Sequence, residues 1–151
     1  MAKQIILDAN ILIRAILGNK VSVLISQYID DVVFLSVDEA FADAEKYIPP
    51  VMEKRGADNE TIQLALEKLK QLKKFIQVVP LDSFSEYEEA ARYRLKGRDE
   101  DDWLFLALAM RLDCPIWTED KDFFGSGVPT WTSDRVELFL SDSQIHPSDS
   151  E

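Results

Sequence analysis

The sequence predicts an α/β fold: a parallel sheet of four to five strands covered by helices on both faces. Three observations lead there. Short apolar runs (QIIL, VVFL, IQVV, PIWT) alternate with longer stretches of helical period. The runs are apolar throughout rather than alternating in polarity, as strands buried on both faces require. The length of 151 residues, 46% hydrophobic and 30% charged, suits one ordinary globular domain. A domain of this size buries roughly 68–70% of its unfolded surface and needs no disulfide or metal merely to fold.

The elements follow in order. Gln4 to Leu7 is a buried strand that stops at Asp8. Ile11 to Leu17 takes up helical spacing, with Asp8 or Asn10 as its cap, and Gly18-Asn19 closes it. Val21 to Ile29 reads as a second short helix, and Val32 to Leu35 as the second strand. Ser36 to Asp38 offers an N-cap for a helix from Glu39 to Tyr47, ended by Pro49-Pro50. Asp58-Asn59 opens the clearest helix, whose apolar stripe is Ile62, Ala65, Leu66, Leu69 and Leu72. Ile76 to Val79 is a third strand. Asp82-Ser83 caps a helix running to about Lys96, and Gly97 ends it. Asp99 to Asp102 precede a helix from Trp103 to Leu112, Pro115 to Thr118 form a fourth strand, and Val128 to Trp131 are a candidate fifth. Arg135 to Leu140 is a last short helix. The domain is thus expected over residues 1–140, with a disordered polar tail over 141–151.

Lys plus Arg number 17 and Asp plus Glu 28, a net charge of −11. Taken alone, this argues against a general nucleic-acid binder, which carries a basic footprint. One cysteine, Cys114, forms no internal disulfide and points to a reducing compartment. No basic-then-apolar leader opens the chain, and the run from Ile5 to Leu17 is broken by Asp8, Asn10 and Arg14. The expectation is a soluble cytoplasmic protein with no membrane partner.

The placement of the acids matters more than their sum. In a parallel sheet, ligands bind beyond the carboxyl ends of the strands. Asp8 follows the first strand there, and Asp120, with Asp122 behind it, follows the fourth. Asp99, Glu100, Asp101 and Asp102 crowd one helix start, where acids also favour the macrodipole. Asp38, Glu39, Asp43 and Glu45 lie on the helix after the second strand; a solvated face is the simplest account of Glu39, whereas Ala40, Phe41, Ala44 and Tyr47 bracket the side of Asp43. Converging carboxylates raise one another's pKa and need a cation to stay ionised together. Hard oxygen ligands select Mg²⁺ or Mn²⁺ over zinc. The single histidine, His146, lies in the tail, so zinc sites and His-based nucleophile mechanisms lack their residue; there is no glycine-rich phosphate loop either. Metal-activated water attacking a phosphodiester is the chemistry left.

Four segments, ILDANILI, FADAEKYI, DEDDWLFLALA and WTEDKDF, carry acids in an order and spacing that resembles the PIN-domain family from Ile5 to Phe124. The ending TWTSDRVELFL is similar too. The resemblance implies an α/β/α sandwich and a Mg²⁺- or Mn²⁺-dependent endoribonuclease, like VapC-type toxins that dimerise and are blocked by a cognate antitoxin. Carried over, Asp8, Asp43, Asp102 and Asp120 match the catalytic acids, with Asp8, Asp102 and Asp120 on the metal. Asn10, Glu45, Asp99, Thr118 and Asp122 match accessory positions. The second family acid is usually Glu, so Asp43 and Glu45 compete for it. Arg14, Lys46, Arg92, Arg94, Lys96 and Arg98 are candidate grips for RNA, and Tyr93 and Trp103 candidate stacking surfaces. The competing readings are a metal-dependent deoxyribonuclease, an aspartyl-phosphate phosphatase, which would want a second Asp where Asn10 stands, and a catalytically weak PIN-like binding module working through a protein partner.

Overall fold

The computed structural model describes residues 2–142. Its five strands are β1 (Lys3–Leu7), β2 (Val32–Ser36), β3 (Gln77–Val78), β4 (Ile116–Trp117) and β5 (Thr130–Trp131). All pair in parallel, in the order β3-β2-β1-β4-β5. The helices are α1 (Ala9–Leu17), α2 (Lys20–Tyr28), α3 (Asp38–Lys54), α4 (Asn59–Lys73), α5 (Glu88–Arg94), α6 (Trp103–Leu112) and α7 (Val136–Ser141). The expected α/β class and the parallel sheet are therefore present. The expected tail lies outside the described residues beyond residue 142.

β1 is central, and Ile5, Ile6 and Leu7 have no exposed surface. The strand order reverses between β1 and β4: chain order runs outward through β2 and β3 on one side, and through β4 and β5 on the other. A reversal of this kind opens a crevice beyond the carboxyl ends of the two inner strands. α6 supplies the other wall. Its Phe105, Leu106, Ala107, Leu108 and Ala109 are all buried, so it is a core helix rather than an amphipathic one.

Several boundaries differ from the sequence reading. α1 begins at Ala9 because Asp8 caps it, which leaves Asn10 exposed in the first turn. The expected cap over Ser36 to Asp38 is absent: Val37 occupies the cap position without a side-chain bond, and Ser36 Oγ donates instead to the Leu7 carbonyl across the sheet, at 2.7 Å. α3 does not stop at Pro49-Pro50 but runs to Lys54. Each proline removes one helical hydrogen bond, at a cost of about 3 kcal/mol. The carbonyls that lose donors belong to Glu45 and Lys46, both exposed, so water can serve them. The buried stripe Ala40, Phe41, Ala44 and Ile48 then continues to the core-packed Met52, and that packing carries the helix across.

The single helix expected from Asp82 to Lys96 is two 3-10 turns (Leu81–Ser83, Ser85–Tyr87) followed by α5. Phe84 sits between the turns, fully buried, its ring 6.4 Å from that of Trp103. Burying that ring breaks the helical path. The run Glu100–Asp102 is likewise a 3-10 turn leading into α6, with Asp99 as its cap.

Candidate metal centre

The site is built where β1 and β4 end. Asp8 is 5% exposed and holds both oxygens in bonds. Its Oδ1 accepts the Ile11 amide at 3.0 Å, and its Oδ2 accepts the Thr118 hydroxyl. Thr118 Oγ1 in turn accepts the Asp120 amide at 2.9 Å. Asp120 Oδ1 accepts the Asp122 amide at 2.9 Å, and Asp122 Oδ2 accepts the Asp99 amide at 3.3 Å. The bonds thus pass from α1 through β4 to the segment before α6. Thr118, fully buried, joins the ends of the two inner strands.

Asp102 stands at the N-terminus of α6, and its Oδ2 is buried without a hydrogen-bond partner among the described residues. One oxygen from each of Asp102, Asp120 and Asp122 lies within 4.8 Å of the others. Burial pushes the Asp102 carboxyl up to about 8, helped by the adjoining Asp120 carboxylate and by the charges of Asp99 and Asp8. Burial also raises Asp8, to about 6, against the lowering effect of the Thr118 and Ile11 bonds; Asp120 and Glu119 add repulsion. At neutral pH, with no ion bound, Asp102 therefore keeps its proton while Asp8 is largely ionised. The PIN domain family matches residues 6–141.

The chain belongs to the PIN-domain family. PIN domains are generally nucleases that use a divalent metal. No curated protein matches this PIN domain in sequence. Among solved structures it is similar to VapBC2 from Rickettsia felis bound to a DNA fragment from their promoter: TM-score 0.65, 12% identity, 85% of this chain and 98% of that one. It is also similar to FitAB bound to an IR36 DNA fragment, at TM-score 0.64 and 16% identity over 85% and 94% of the two chains. FitAcB from Neisseria gonorrhoeae gives TM-score 0.61 and 17% identity over 85% and 97%. These likenesses establish the fold.

The residues of this PIN domain fit a hard divalent cation. The donors are carboxylate oxygens, and Asp102 also has a buried oxygen, Oδ2, with no hydrogen-bond partner among the described residues. Such an oxygen carries a proton or meets a cation.

Asp8, Thr118 and Asp120 are joined by hydrogen bonds and Asp102 lies beside Asp120, but Asp8, expected on the metal with Asp102 and Asp120, is outside the cluster of three carboxylates and has both oxygens in hydrogen bonds. Asp122, expected as an accessory, stands in the carboxylate cluster itself. Asp99 contributes its amide to Asp122, while its side chain accepts the Asp101 amide at 3.0 Å. Asp43 and Glu45 are exposed on α3, outside that cluster. Of the candidate RNA grips, Arg14, Lys46 and Lys96 are exposed. Arg92 is paired with Glu88 at 2.8 Å and stacks over Trp103. Arg94 and Arg98 donate to backbone carbonyls instead: Arg94 Nη1 to Ser126 at 3.1 Å, Arg98 Nη1 to Asp122 at 2.7 Å and to Phe124. Trp103 is a core residue at 8% exposure, whereas Tyr93 is 76% exposed. Sequence reasoning missed Glu119, whose Oε2 accepts the Ser133 amide at 2.6 Å while its charge acts on Asp8.

Proposed function

We propose that this PIN domain is a Mg²⁺- or Mn²⁺-dependent endoribonuclease and the toxin of a toxin–antitoxin pair. The observation that carries the nuclease reading is the cluster of Asp102, Asp120 and Asp122 carboxylates, with Asp102 Oδ2 buried and unpartnered among the described residues. Asp102 and Asp120 would hold the ion, with Asp122 and Asp8 completing the negative field. Asp43, on α3, acts at longer range through water. When bound, the ion lowers the pKa of a coordinated water and neutralises charge on the scissile phosphate.

The chain's own residues do the rest. Asp8 and Thr118 fix the end of β4, and so the backbone of Asp120, against the end of β1. The helix dipole of α6 favours an ionised Asp102 at its N-terminus, opposing the effect of burial. Tyr93, widely exposed one element before the acids, offers a ring on which a base can stack. Support for the toxin reading comes from the VapC-like motif order and from the VapBC and FitAB neighbours. The net charge of −11 suits a basic antitoxin segment, and the toxin functions in the cytoplasm as a homodimer until such a partner binds.

The experiment is cleavage of a mixed RNA pool by the purified protein with Mn²⁺, Mg²⁺ or EDTA, alongside Asp8→Asn. Asparagine also caps helices, so the variant keeps the Ile11 bond. Metal-dependent cutting lost in the variant is the expected result. A folded, antitoxin-free protein that cuts no RNA with either metal would refute the enzyme and favour the binding-module reading.

A further inference from the structure

We infer that Arg98, with Arg94 beside it, is a positioning residue of the metal centre, clamping the loop that presents Asp120 and Asp122 against the start of α6. This rests on the metal-centre reading above. Asp102 and Asp99 belong to the segment between α5 and α6, whereas Asp120 and Asp122 belong to the loop after β4. Nothing in the sheet fixes the distance between those two segments, because β4 ends at Trp117.

Arg98 spans the gap. It precedes Asp99 and donates to the carbonyls of Asp122 and Phe124, 24 and 26 residues further on. Beside it, the Asp99 amide donates to the Asp122 carboxylate at 3.3 Å, so the two segments are joined in both directions around Asp122. Arg94, on the last turn of α5, adds a third tie at the Ser126 carbonyl. The loop is shaped to receive it: Gly127 has φ +95°, and a Cβ there would lie 2.7 Å from Arg94 Nη1. Among the described residues neither guanidinium forms an ion pair with a carboxylate. Both side chains are exposed, and the Nη1 group of each donates to backbone carbonyls of the loop, contacts that hold the loop in place.

A clamp and an RNA grip differ in what their loss does without RNA. Mn²⁺ binding by the full chain, followed by electron paramagnetic resonance of the free ion with no RNA present, separates them. Wild type is expected to bind and Asp102→Asn to lose binding. Arg98→Ala should weaken Mn²⁺ affinity about tenfold or more, as loss of a group orienting the ligands does. Arg98→Lys should recover only part, since a flexible ammonium lacks the fixed guanidinium plane in which Nη1 directs its hydrogens at the two carbonyls. Circular dichroism melting checks folding, and Arg94→Ala carries the same test should Arg98→Ala fail to fold. Binding by wild type, lost in Asp102→Asn but within twofold of wild type in the arginine variants, overturns the clamp alone. Failure of wild type to bind Mn²⁺ overturns the metal centre and the clamp with it.

Discussion

Asp8, Asp102, Asp120 and Asp122 around the ends of β1 and β4, and Asp38, Glu39, Asp43 and Glu45 on α3, carry the same formal charge in two very different settings. The α3 acids are all exposed. Asp38 meets Lys73 at 3.1 Å, a solvent-exposed pair that contributes little. The strand-end acids are buried or half-buried and mutually repulsive, and two of them are held well above the ordinary carboxylate range. Charge density along the sequence is similar in both places. What separates them is desolvation, and desolvation follows from topology: one group sits where the strand order reverses, the other on a helix face open to water.

The comparison can be pressed hardest by Asp102→Asn. It should lower kcat/KM for RNA about a thousandfold, or about 4 kcal/mol, while raising the melting temperature of the metal-free protein. A drop in both would make Asp102 a structural residue. Next comes the pH dependence of stability without metal, by urea unfolding in EDTA. Asp8 in the folded chain has its carboxyl raised from 3.8 to about 6, so the folded state binds the proton more tightly than the unfolded one. Its contribution therefore falls as pH rises from about 4 to 6 and stays low above that, by about 3 kcal/mol in all. Asp8→Asn should remove that fall, so its stability relative to wild type should grow across the same window; a constant difference from pH 4 to 7 would contradict the burial argument. Thr118→Val, which leaves Asp8 and the Asp120 amide without their shared partner, should cost about 2 kcal/mol in denaturant unfolding, with Thr118→Ser recovering most of it. The smallest effects belong to α3. Asp43→Asn should slow cleavage less than any strand-end substitution, and Glu45→Gln less still, each within about 0.5 kcal/mol of wild type in stability. Equal losses from Asp43→Asn and Asp102→Asn in the RNA assay would place both groups of acids in one centre and erase the contrast.

How much of this could be read in advance depends on whether a feature leaves a local mark. β1 and β4 did: an apolar run halted by a carboxylate is visible in QIILD and PIWTED, and the halt is where the site lies. The course of α3 through Pro49-Pro50 left none, because the force carrying it is packing of Ile48 and Met52 on distant residues. The break at Phe84 was hidden for the same reason. Arg94, Lys96 and Arg98 looked alike as a basic run, yet two of the three are tied to carbonyls 24 to 32 residues away. Such bonds ask nothing of the acceptor's side chain, so the sequence records only the donor. Gly127 is the partial exception, a glycine favoured by its φ of +95°, with the Arg94 guanidinium lying against it.

The parallel sheet has a consequence for when the centre comes into being. β1 precedes the other four strands in the chain and is the middle one of the sheet, so it waits for β4 to cover its second edge. Asp8 and Thr118 are bonded across 110 residues. At about 5–20 residues per second, translation leaves Asp8 unmatched for roughly 6–22 seconds after it is added. Every truncated or stalled chain ending before Thr118 lacks the centre altogether. Chains cut short there are therefore incapable of the chemistry proposed for this PIN domain.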